Sequence, residues 1–296
     1  MKKTIFIVLG LIAIFAIWYL FIKSHDYRIN AKTKSSIGTI NQTLKLWNGT
    51  LDEAVSIAQQ ESLTHLSQRI IFGDSTHQYE WYINPIDDST ATIKVDVTDQ
   101  EHSMANRLQI PFSDTDFEKR SRKTVRDFLI RLREHQESFK ITLADTVTLQ
   151  TSYCACIEAE STQFEKASKM MENFPFLNSV FTRNNIKMNG VPLIEVTNWN
   201  TKKDSISFNF CYPLIKNDSL PQIKGIFYKS LRGTKALKAI YNGNYITSDR
   251  AWYALVSHAE RNNLEIEKAP IEFFFNNPNM GGNEMRWKTE VFMPLK

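Results

Sequence analysis

The hydrophobic pattern of the chain begins with one long apolar run near the N-terminus. Thr4 to Ile22 are 19 residues without a charge, preceded by Lys2-Lys3 and followed by Lys23. A helix of this length covers about 28 Å, close to the hydrocarbon thickness of a bilayer. Trp18 and Tyr19 fall where aromatic rings meet a membrane surface. The pattern predicts a transmembrane anchor over residues 1–25 that crosses the membrane with residues 4–22.

A cleaved signal peptide is the alternative for this run, but no small-x-small cleavage site follows Ile22. The positive charges leave the orientation open. Lys2 and Lys3 favour an internal N-terminus. More positive charge lies on the other side of the apolar run, at Lys23, Arg28, Lys32 and Lys34, and it favours the opposite orientation. The sequence therefore does not predict the side of the membrane on which the rest of the chain lies.

From residue 26 to about residue 140 the pattern changes to short alternating segments, which are typical of an α+β domain. A strand opens at Asp26–Ile29, and Pro85–Ser89 is a turn signal that predicts a hairpin. Two short helices are predicted at about 38–47 and 52–60. The β-branched and aromatic runs that predict strands are 69–72, 79–83, 91–97 and a weaker run at 107–110.

A long helix is predicted over about 114–138. Thr115 and Glu118 form a capping box at its start. Its apolar residues on one face are Phe117, Val125, Phe128, Leu129 and Leu132. Its basic residues are either a contact for anionic lipid headgroups or an ordinary solvated face. They are Lys119, Arg120, Arg122, Lys123, Arg126, Arg131 and Arg133.

This order of a strand, short helices, an antiparallel meander and a long closing helix resembles the START-related helix-grip (SRPBCC-type) superfamily. The resemblance implies that residues 26–140 form a sheet curled around the last helix, with a hydrophobic cavity between them. An α+β scaffold without a cavity accounts for the same pattern.

The C-terminal half repeats its own pattern. The blocks Arg183–Ile186 and Val191–Leu193 recur 78 residues later as Arg261–Leu264 and Ala269–Ile271, and Phe208–Leu214 recurs 81 residues later. Self-similarity at this scale predicts two packed copies of one strand–helix–strand–strand unit. We expect the copies at about 141–215 and 225–296, joined by a polar link.

Each copy is predicted to contain one helix with an apolar stripe. The stripe of the first copy is Phe164, Ala167, Met171 and Phe174, and that of the second is Trp252, Leu255, Val256 and Ala259. The predicted strands are 153–158, 193–197 and 206–212 in the first copy, and 236–241, 271–275 and 286–293 in the second. The link between the copies is Lys216–Lys224.

One difference between the copies is chemical. Where the first copy has Asn209, the second has Glu290, a carboxylate inside an apolar strand. Seams between packed units are places where small-molecule pockets form. Glu290 is therefore a candidate site residue, and exposure to solvent on an edge strand is the alternative.

Composition and charge exclude several classes of protein. A hydrophobic fraction of 42% and 35 aromatic residues predict packed cores rather than disorder. The net charge of +4 does not call for a nucleic-acid partner. The three cysteines, Cys154, Cys156 and Cys211, are predicted to be small core residues without a disulfide framework. The six histidines lack metal-ligand spacing, so no metal and no cofactor is expected.

The second copy resembles the GyrI-like effector-binding (multidrug-binding) family, which includes gyrase-inhibitory proteins and the drug-binding domains of MerR- and AraC-type activators. The segments that carry the resemblance are Thr234–Tyr245, Ala251–Trp252, Pro270–Glu272, Asn276–Pro278 and Thr289–Leu295. The resemblance implies that residues 141–296 form two strand–helix–strand–strand modules with a pocket between them.

In that family the carboxylate of the terminal strand, here Glu290, lies at the floor of a pocket that receives cationic, lipophilic ligands. A cation pairs with a carboxylate and stacks on aromatic faces. Tyr245 also maps onto the family motif. The other aromatic candidates follow from their strand positions and are Tyr241, Trp199, Phe275 and Trp287.

Two alternatives to a membrane-anchored receptor remain open. Some relatives resemble hydrolases of electrophilic rings, which would make Glu290 a general base and Tyr245 a hydrogen-bond donor. The helix-grip region would instead make the protein a lipid or hydrophobic-ligand carrier. No helix-turn-helix precedes the domain, so no nucleic acid is expected. The predicted partners are a small-molecule ligand and the membrane, and the oligomeric state is left open.

Overall fold

The structure of the protein is a computed structural model that describes residues 2–59, 62–87, 90–217 and 220–296. The chain divides into two compact units, Met1–Arg133 and Glu134–Lys296. Parts of four predicted segments lie outside the described residues. They are Met1 of the anchor, Gln60 of the second short helix, Asp88 and Ser89 of the turn, and Asp218 and Ser219 of the link.

The N-terminal apolar run is helical. Helix α1 (Lys2–Ile17) continues into a π-helical turn at Trp18–Ile22. Lys3–Ile22 has a mean hydropathy of 2.9 and none of it is buried, so it is long and apolar enough to cross a membrane. A signal sequence near an N-terminus has the same length and composition.

Within its described residues, the first unit is built on a five-stranded antiparallel sheet with the order β1-β5-β4-β3-β2. The strands are β1 (Tyr27–Thr33), β2 (Ala54–Gln59), β3 (His65–Phe72), β4 (Ser75–Pro85) and β5 (Ala91–Asp99). The helices are α2 (Ile37–Asn48), α3 (Ser103–Gln109) and α4 (Asp116–Glu137), the last of which extends past the division between the units. Trp81 of β4 contacts Phe128 of α4 with ring centroids 5.1 Å apart, which joins sheet and helix in one core.

Two predicted elements of this unit are wrong. The segment predicted as a helix at 52–60 contains strand β2, because it pairs with β3 along the edge of the sheet. The run at 107–110 belongs to helix α3 rather than to a strand. Arg107 Nε donates to Asp26 at 2.6 Å and Asn106 Nδ2 donates to Asp99 at 3.0 Å. These polar side chains point inward, the reverse of the apolar-inward alternation on which a strand prediction depends.

The long helix follows its prediction. Thr115 N–H donates to Glu118 and Glu118 N–H donates to Thr115 Oγ1, which is the predicted capping box. The predicted apolar face is turned to the core, with Leu129 half-buried and the other four residues buried. Lys119 pairs with Asp116 and Lys123 pairs with Asp127, as on an ordinary solvated helix face.

The second unit holds an eight-stranded sheet among its described residues, with the order β10-β7-β9-β8-β12-β13-β11-β6. The strands of the first half are β6 (Phe139–Thr148), β7 (Ser152–Ser161), β8 (Leu193–Asn200) and β9 (Ser205–Pro213). Those of the second half are β10 (Phe227–Leu231), β11 (Lys235–Gly243), β12 (Ile271–Phe274) and β13 (Lys288–Pro294). The sequence pattern did not predict the two outer strands, β6 and β10.

Helices α5 (Lys166–Arg183) and α6 (Arg250–Arg261) both pack on one face of this sheet. Strands β8 and β12 lie next to each other at its centre, where Ile194 is directly opposite Glu272. Cross-strand partners share a face. Glu272 therefore points toward the helices.

The cysteine prediction was wrong in one respect. Cys156 of β7 and Cys211 of β9 are directly opposite each other in the antiparallel pair and form a disulfide. All three cysteines are buried, as predicted, and Cys154 is a free thiol. The spacing along the chain carried no signal, because the pairing depends on the register of two strands 55 residues apart.

Candidate ligand-binding cavity

A cavity of about 750 Å³ lies on the helix side of the sheet in the second unit. This volume is within the range of small-molecule sites, roughly 300–1,000 Å³. Most of its lining is aromatic or aliphatic. The apolar lining residues outside α5 include Met188, Val191, Pro192, Phe210, Tyr212, Ile246, Phe274 and Phe275. The lining predicts an apolar ligand.

Helix α5 and the residues just before it form one wall of the cavity. The predicted stripe of Phe164, Ala167, Met171 and Phe174 lines the cavity along its whole length. Pro175 follows inside the helix and has no N–H to donate to the carbonyl of Met171. The stripe was predicted as the apolar face of a helix, and its role in a cavity was missed because core and cavity walls have the same periodicity.

Tyr245 also lines the cavity, outside helix α5. Its hydroxyl donates to the Asn276 carbonyl at 3.1 Å and accepts from the Asn276 N–H at 2.8 Å. Its ring meets Phe274 edge-on at 4.9 Å and lies 5.6 Å from Trp287. Burial raises the pKa of Tyr245 to about 12, although the hydrogen bond from the Asn276 backbone lowers it. The residue therefore stays a neutral phenol and holds the wall in place.

Gly243 permits Tyr241 and Phe139 to pack directly against the backbone next to the cavity. Its φ is +153°, and a Cβ at this position would lie 2.6 Å from Tyr241 Oη and 2.8 Å from Phe139 Cβ. No side chain fits there. The glycine of the Tyr-x-Gly-x-Tyr sequence thus serves backbone geometry.

Three of the six predicted site residues line this cavity, namely Tyr245, Phe275 and Trp287. Phe275 carries a further contact on its ring. Lys288 Nζ lies 4.5 Å from the Phe275 ring centroid, within the range of a cation–π interaction. Asn276, Asn277 and Pro278 of the Asn-rich loop also line the cavity.

Glu290 does not lie at the floor of this cavity. Its neighbour Val291 faces the helix-side core that contains Tyr245, so Glu290 points to the other face of the sheet. There it pairs with Lys238 at 3.0 Å and with Lys288 at 2.7 Å. Partial burial raises the pKa of Glu290, but the hydrogen bonds from Lys288 and Lys238 outweigh this and leave the pKa below its ordinary value. Successive residues of a strand point to opposite faces of the sheet, so Glu290 and its neighbour Val291 lie on opposite sides.

Tyr241 and Trp199 are also placed elsewhere. Tyr241 is buried, stacks on Phe139 at 5.8 Å and has its hydroxyl 3.0 Å from the Asn244 carbonyl. Trp199 packs edge-on against Trp252 at 5.2 Å. Both residues stabilise the core beside the cavity. Strand position alone did not distinguish them from the residues that line it.

The sequence pattern missed a second carboxylate, Glu272, and its partner Lys166. Both side chains are completely buried. Lys166 Nζ donates to the two oxygens of Glu272 at 2.8 and 2.9 Å. Ser248 Oγ also donates to Glu272 at 2.8 Å, and Trp252 Nε1 donates to it as well. Glu272 stands among Phe273, Phe274 and Phe275, so the surrounding sequence has no alternation that would have revealed its side.

Metal ligands do not come together in the part of the chain that the structure describes. No group of three or more His, Cys, Asp or Glu side chains has a suitable arrangement there. The described lining of the cavity consists of apolar walls, a few neutral polar groups and the exposed carboxylate of Glu165, with the Lys166–Glu272 ion pair behind them.

The fold and the cavity define a small-molecule-binding domain. Residues 155–296 match the sequence model of the GyrI-like small molecule binding domain, and the predicted GyrI-like domain is confirmed over that range. No curated protein matches the sequence significantly.

Several solved structures are similar to the second unit. The C-terminal domain of EcmrR is 15% identical, with 53% of this chain and 98% of that chain covered and a TM-score of 0.45. SAV2435 bound to tetraphenylphosphonium is 12% identical, with 52% and 94% covered and a TM-score of 0.36. A hydrolase encoded by lin2189 from Listeria innocua is 8% identical, with 51% and 91% covered and a TM-score of 0.34.

Proposed function

We propose that this protein is a membrane-anchored receptor that binds lipophilic small molecules in the cavity of its second unit. The observation that carries the proposal is the cavity itself, about 750 Å³ with walls of phenylalanine, methionine, tyrosine and tryptophan. Burial of apolar ligand surface supplies roughly 25 cal/mol per Å². The match of residues 155–296 to a small-molecule-binding domain supports the same reading.

The membrane anchor is the second part of the proposal. Lys3–Ile22 has the length and hydropathy of a membrane span and its side chains are not buried by the protein. Arg107 Nη1 of α3 donates to the Leu20 carbonyl at 2.9 Å, while Arg107 Nε binds Asp26. These bonds tie the end of the apolar helix to the first unit, as an anchor that holds a domain close to a membrane requires.

We place the soluble part on the oxidising side of that membrane. The Cys156–Cys211 disulfide supports this assignment, because disulfides persist outside the cytoplasm and are rare inside it. Lys2 and Lys3 would then remain on the cytoplasmic side, as the positive-inside rule favours, whereas Lys32 and Lys34 would lie on the other side against it. On that other side, Lys23 Nζ donates to the backbone carbonyl of Asp26, and Arg28 forms an ion pair with Asp96 within the first unit.

The two halves of the second unit are, we infer, copies of one module. Asn185 and Asn263, which are 78 residues apart, have φ of +51° and +52° just after α5 and α6. The isolated bridges Met188–Leu214 and Ile266–Leu295 follow them in the two halves. On this reading β8 and β12 form the seam between the copies, and the cavity combines the helix of the first copy with strand ends of the second.

The proposed function is tested by filling the cavity. Ala167→Phe on α5 places a ring in the cavity, and Thr182→Phe places the same ring on the exposed end of the helix. The full chain in lipid nanodiscs is melted with and without N-phenyl-1-naphthylamine, an uncharged aromatic probe. Ligand at 100 times its Kd stabilises a protein by about 2.7 kcal/mol. We expect a shift in Tm for the parent and for Thr182→Phe, and none for Ala167→Phe; equal shifts in all three would refute binding in the cavity.

The other functions are less well supported. The hydrolase hypothesis needs Glu290 and Tyr245 at one substrate, but the two side chains lie on opposite sides of the sheet. A different base would be required. Ligand carriage by the first unit stays a prediction, which a search for lipid copurifying with the protein would test.

A further inference from the structure

The charge of the ligand follows from where the lysines of the second unit lie. A cavity that attracts lipophilic cations needs a carboxylate or an aromatic face available to the ligand. Here the carboxylate behind the cavity wall, Glu272, and one aromatic face at the cavity, that of Phe275, are already in contact with the protein's own ammonium groups.

The first such place is behind the cavity wall. Glu165 and Ala167, on either side of Lys166, line the cavity, and so does Phe274, two residues from Glu272 on the same face of β12. Glu272 has no hydrogen-bonding capacity left for a ligand, because Lys166, Ser248 and Trp252 supply four donors to its two oxygens. Lys166 Nζ also lies 4.7 Å from the Trp252 ring centroid. The cation paired with Glu272 is therefore the protein's own Lys166.

The second place is the rim of the cavity at Phe275. Lys288 Nζ occupies the face of this cavity-lining ring at 4.5 Å and also binds Glu290 at 2.7 Å. Lys238 binds the other oxygen of Glu290 at 3.0 Å. A ligand cation would have to displace the Lys288 ammonium group to use this face of the ring. Glu290 itself points to the other face of the sheet and does not line the cavity.

Among the described lining residues of the cavity, the acidic one is Glu165. It is exposed to solvent, and its carboxylate accepts from the Thr162 N–H and hydroxyl at 3.3 and 3.0 Å. Solvent screens a charge in this position. The other polar residues of the lining are neutral, namely Ser168, Asn244, Tyr245, Asn276 and Asn277.

We propose that the cavity selects uncharged lipophilic molecules and that Lys166 and Lys288 exclude lipophilic cations by occupying their binding positions. This inference rests on the proposed receptor function. A cation taken into the apolar cavity loses its hydration and gains only the solvent-screened charge of Glu165. The aromatic contacts that remain are worth roughly 0.5–2 kcal/mol, less than the desolvation of an unpaired charge.

A matched pair of ligands tests the inference. Triphenylphosphine oxide is uncharged and methyltriphenylphosphonium is cationic, while both present three phenyl rings. Binding to the full chain in nanodiscs is measured by equilibrium dialysis, with Ala167→Phe as the blank for partition into lipid. We expect the uncharged ligand to bind at least ten times more tightly. Equal or tighter binding of the cation would overturn the inference and leave the receptor function intact, whereas binding of neither ligand would overturn both.

Two variants test the role of the lysines. Lys288→Met removes a half-exposed side chain and should raise the affinity for the cation several-fold without changing that for the oxide. Lys166→Met leaves Glu272 without its internal cation and should shift the ratio of affinities toward the cation by at least ten-fold. The double variant Lys166→Met/Glu272→Gln has no net charge at this position and should restore the preference for the oxide. If Lys288→Met and the folded Lys166 variants all keep the parent ratio, the lysines do not set the selectivity.

Discussion

Two glutamates show how much depends on the direction of a single side chain. Glu272 and Glu290 lie in neighbouring strands, and both are acidic residues in apolar surroundings. Glu272 points toward the helices and is buried with Lys166, whereas Glu290 points to the other face and remains partly exposed between Lys238 and Lys288. Their energetic roles should differ accordingly.

We expect Glu272→Gln to destabilise the second unit by about 3–5 kcal/mol, because the charge of Lys166 is left buried without its counter-charge. Glu290→Gln should cost about 1 kcal/mol or less, because its partners are partly solvated. Urea unfolding of the two variants, followed by tryptophan fluorescence, measures the difference. Similar losses of unfolding free energy in both variants would contradict the burial of Glu272 and the partial exposure of Glu290.

The variant Glu290→Gln also separates an effect on stability from an effect on ligand binding. Since Glu290 does not line the cavity, Glu290→Gln should bind N-phenyl-1-naphthylamine with a Kd within about two-fold of the parent, a difference of roughly 0.4 kcal/mol.

The lowered pKa of Glu290 also has a consequence for acid stability. Its contribution is present above the ordinary glutamate pKa and is lost as the pH falls through the lowered value, so Glu290→Gln should lose less stability on acidification.

Among the elements, α3 has a position that its sequence did not predict. The inward bonds of Asn106 and Arg107 leave Met104 and Leu108 exposed on the other side of this short helix. Phe112, just beyond its end, is 89% exposed. Arg107 also binds the carbonyl of Leu20, two residues from the end of the apolar helix, which corresponds to about 3 Å of helical rise. With the apolar helix as the proposed membrane anchor, we expect these three apolar side chains to lie close to the membrane surface.

We expect a fluorophore at Phe112→Cys to be quenched by nitroxide lipids labelled near the headgroup. One at Ile12→Cys, in the apolar helix, should be quenched by lipids labelled deep in the acyl chain. Ile86→Cys serves as the exposed control. Ile86 follows β4, roughly 30 Å along that strand from His77, which lies opposite the Asp99 that binds Asn106 of α3. Quenching at Ile12 without quenching at Phe112 would refute the contact of the α3 region with the membrane surface. No quenching at either position would refute the membrane anchor.

The elements also show where periodicity was sufficient and where it failed. The α4 helix and its capping box followed directly from local signals at Thr115 and Glu118. The stripes of α5 and α6 were predicted for the same reason. Strand β2 was mistaken for a helix because its partner β3 decides its conformation, and the outer strands β6 and β10 were missed because each becomes a strand by pairing with the edge of a sheet.

At the scale of the whole molecule, the disulfide bears both on the stability of the fold and on the cellular compartment in which the protein lies. Cys156–Cys211 connects positions 55 residues apart, and a cross-link of this span restricts the unfolded chain. We expect Cys156→Ala/Cys211→Ala to lower the free energy of unfolding by about 2–4 kcal/mol. Cys154→Ala, which replaces a free buried thiol, is the matched control and should cost less.

The location of the disulfide is tested in membranes from cells that produce the full chain. Unfolded without reductant, the protein should bind one equivalent of a maleimide reagent at Cys154, and after reduction it should bind three. Three equivalents before reduction would place the soluble part in a reducing compartment. That result would reverse the proposed orientation while leaving the cavity unaffected.

The sequence by itself determined the apolar helix, the long capped helix, the helical stripes and the GyrI-like character of residues 155–296, because these depend on local spacing and on motifs. Only the tertiary structure decided which residues meet. It separated Glu290 from Tyr245, joined Lys166 to Glu272 across 106 residues and paired Cys156 with Cys211. The physical reason is that a strand offers two faces and many registers, and a one-residue step exchanges cavity for solvent.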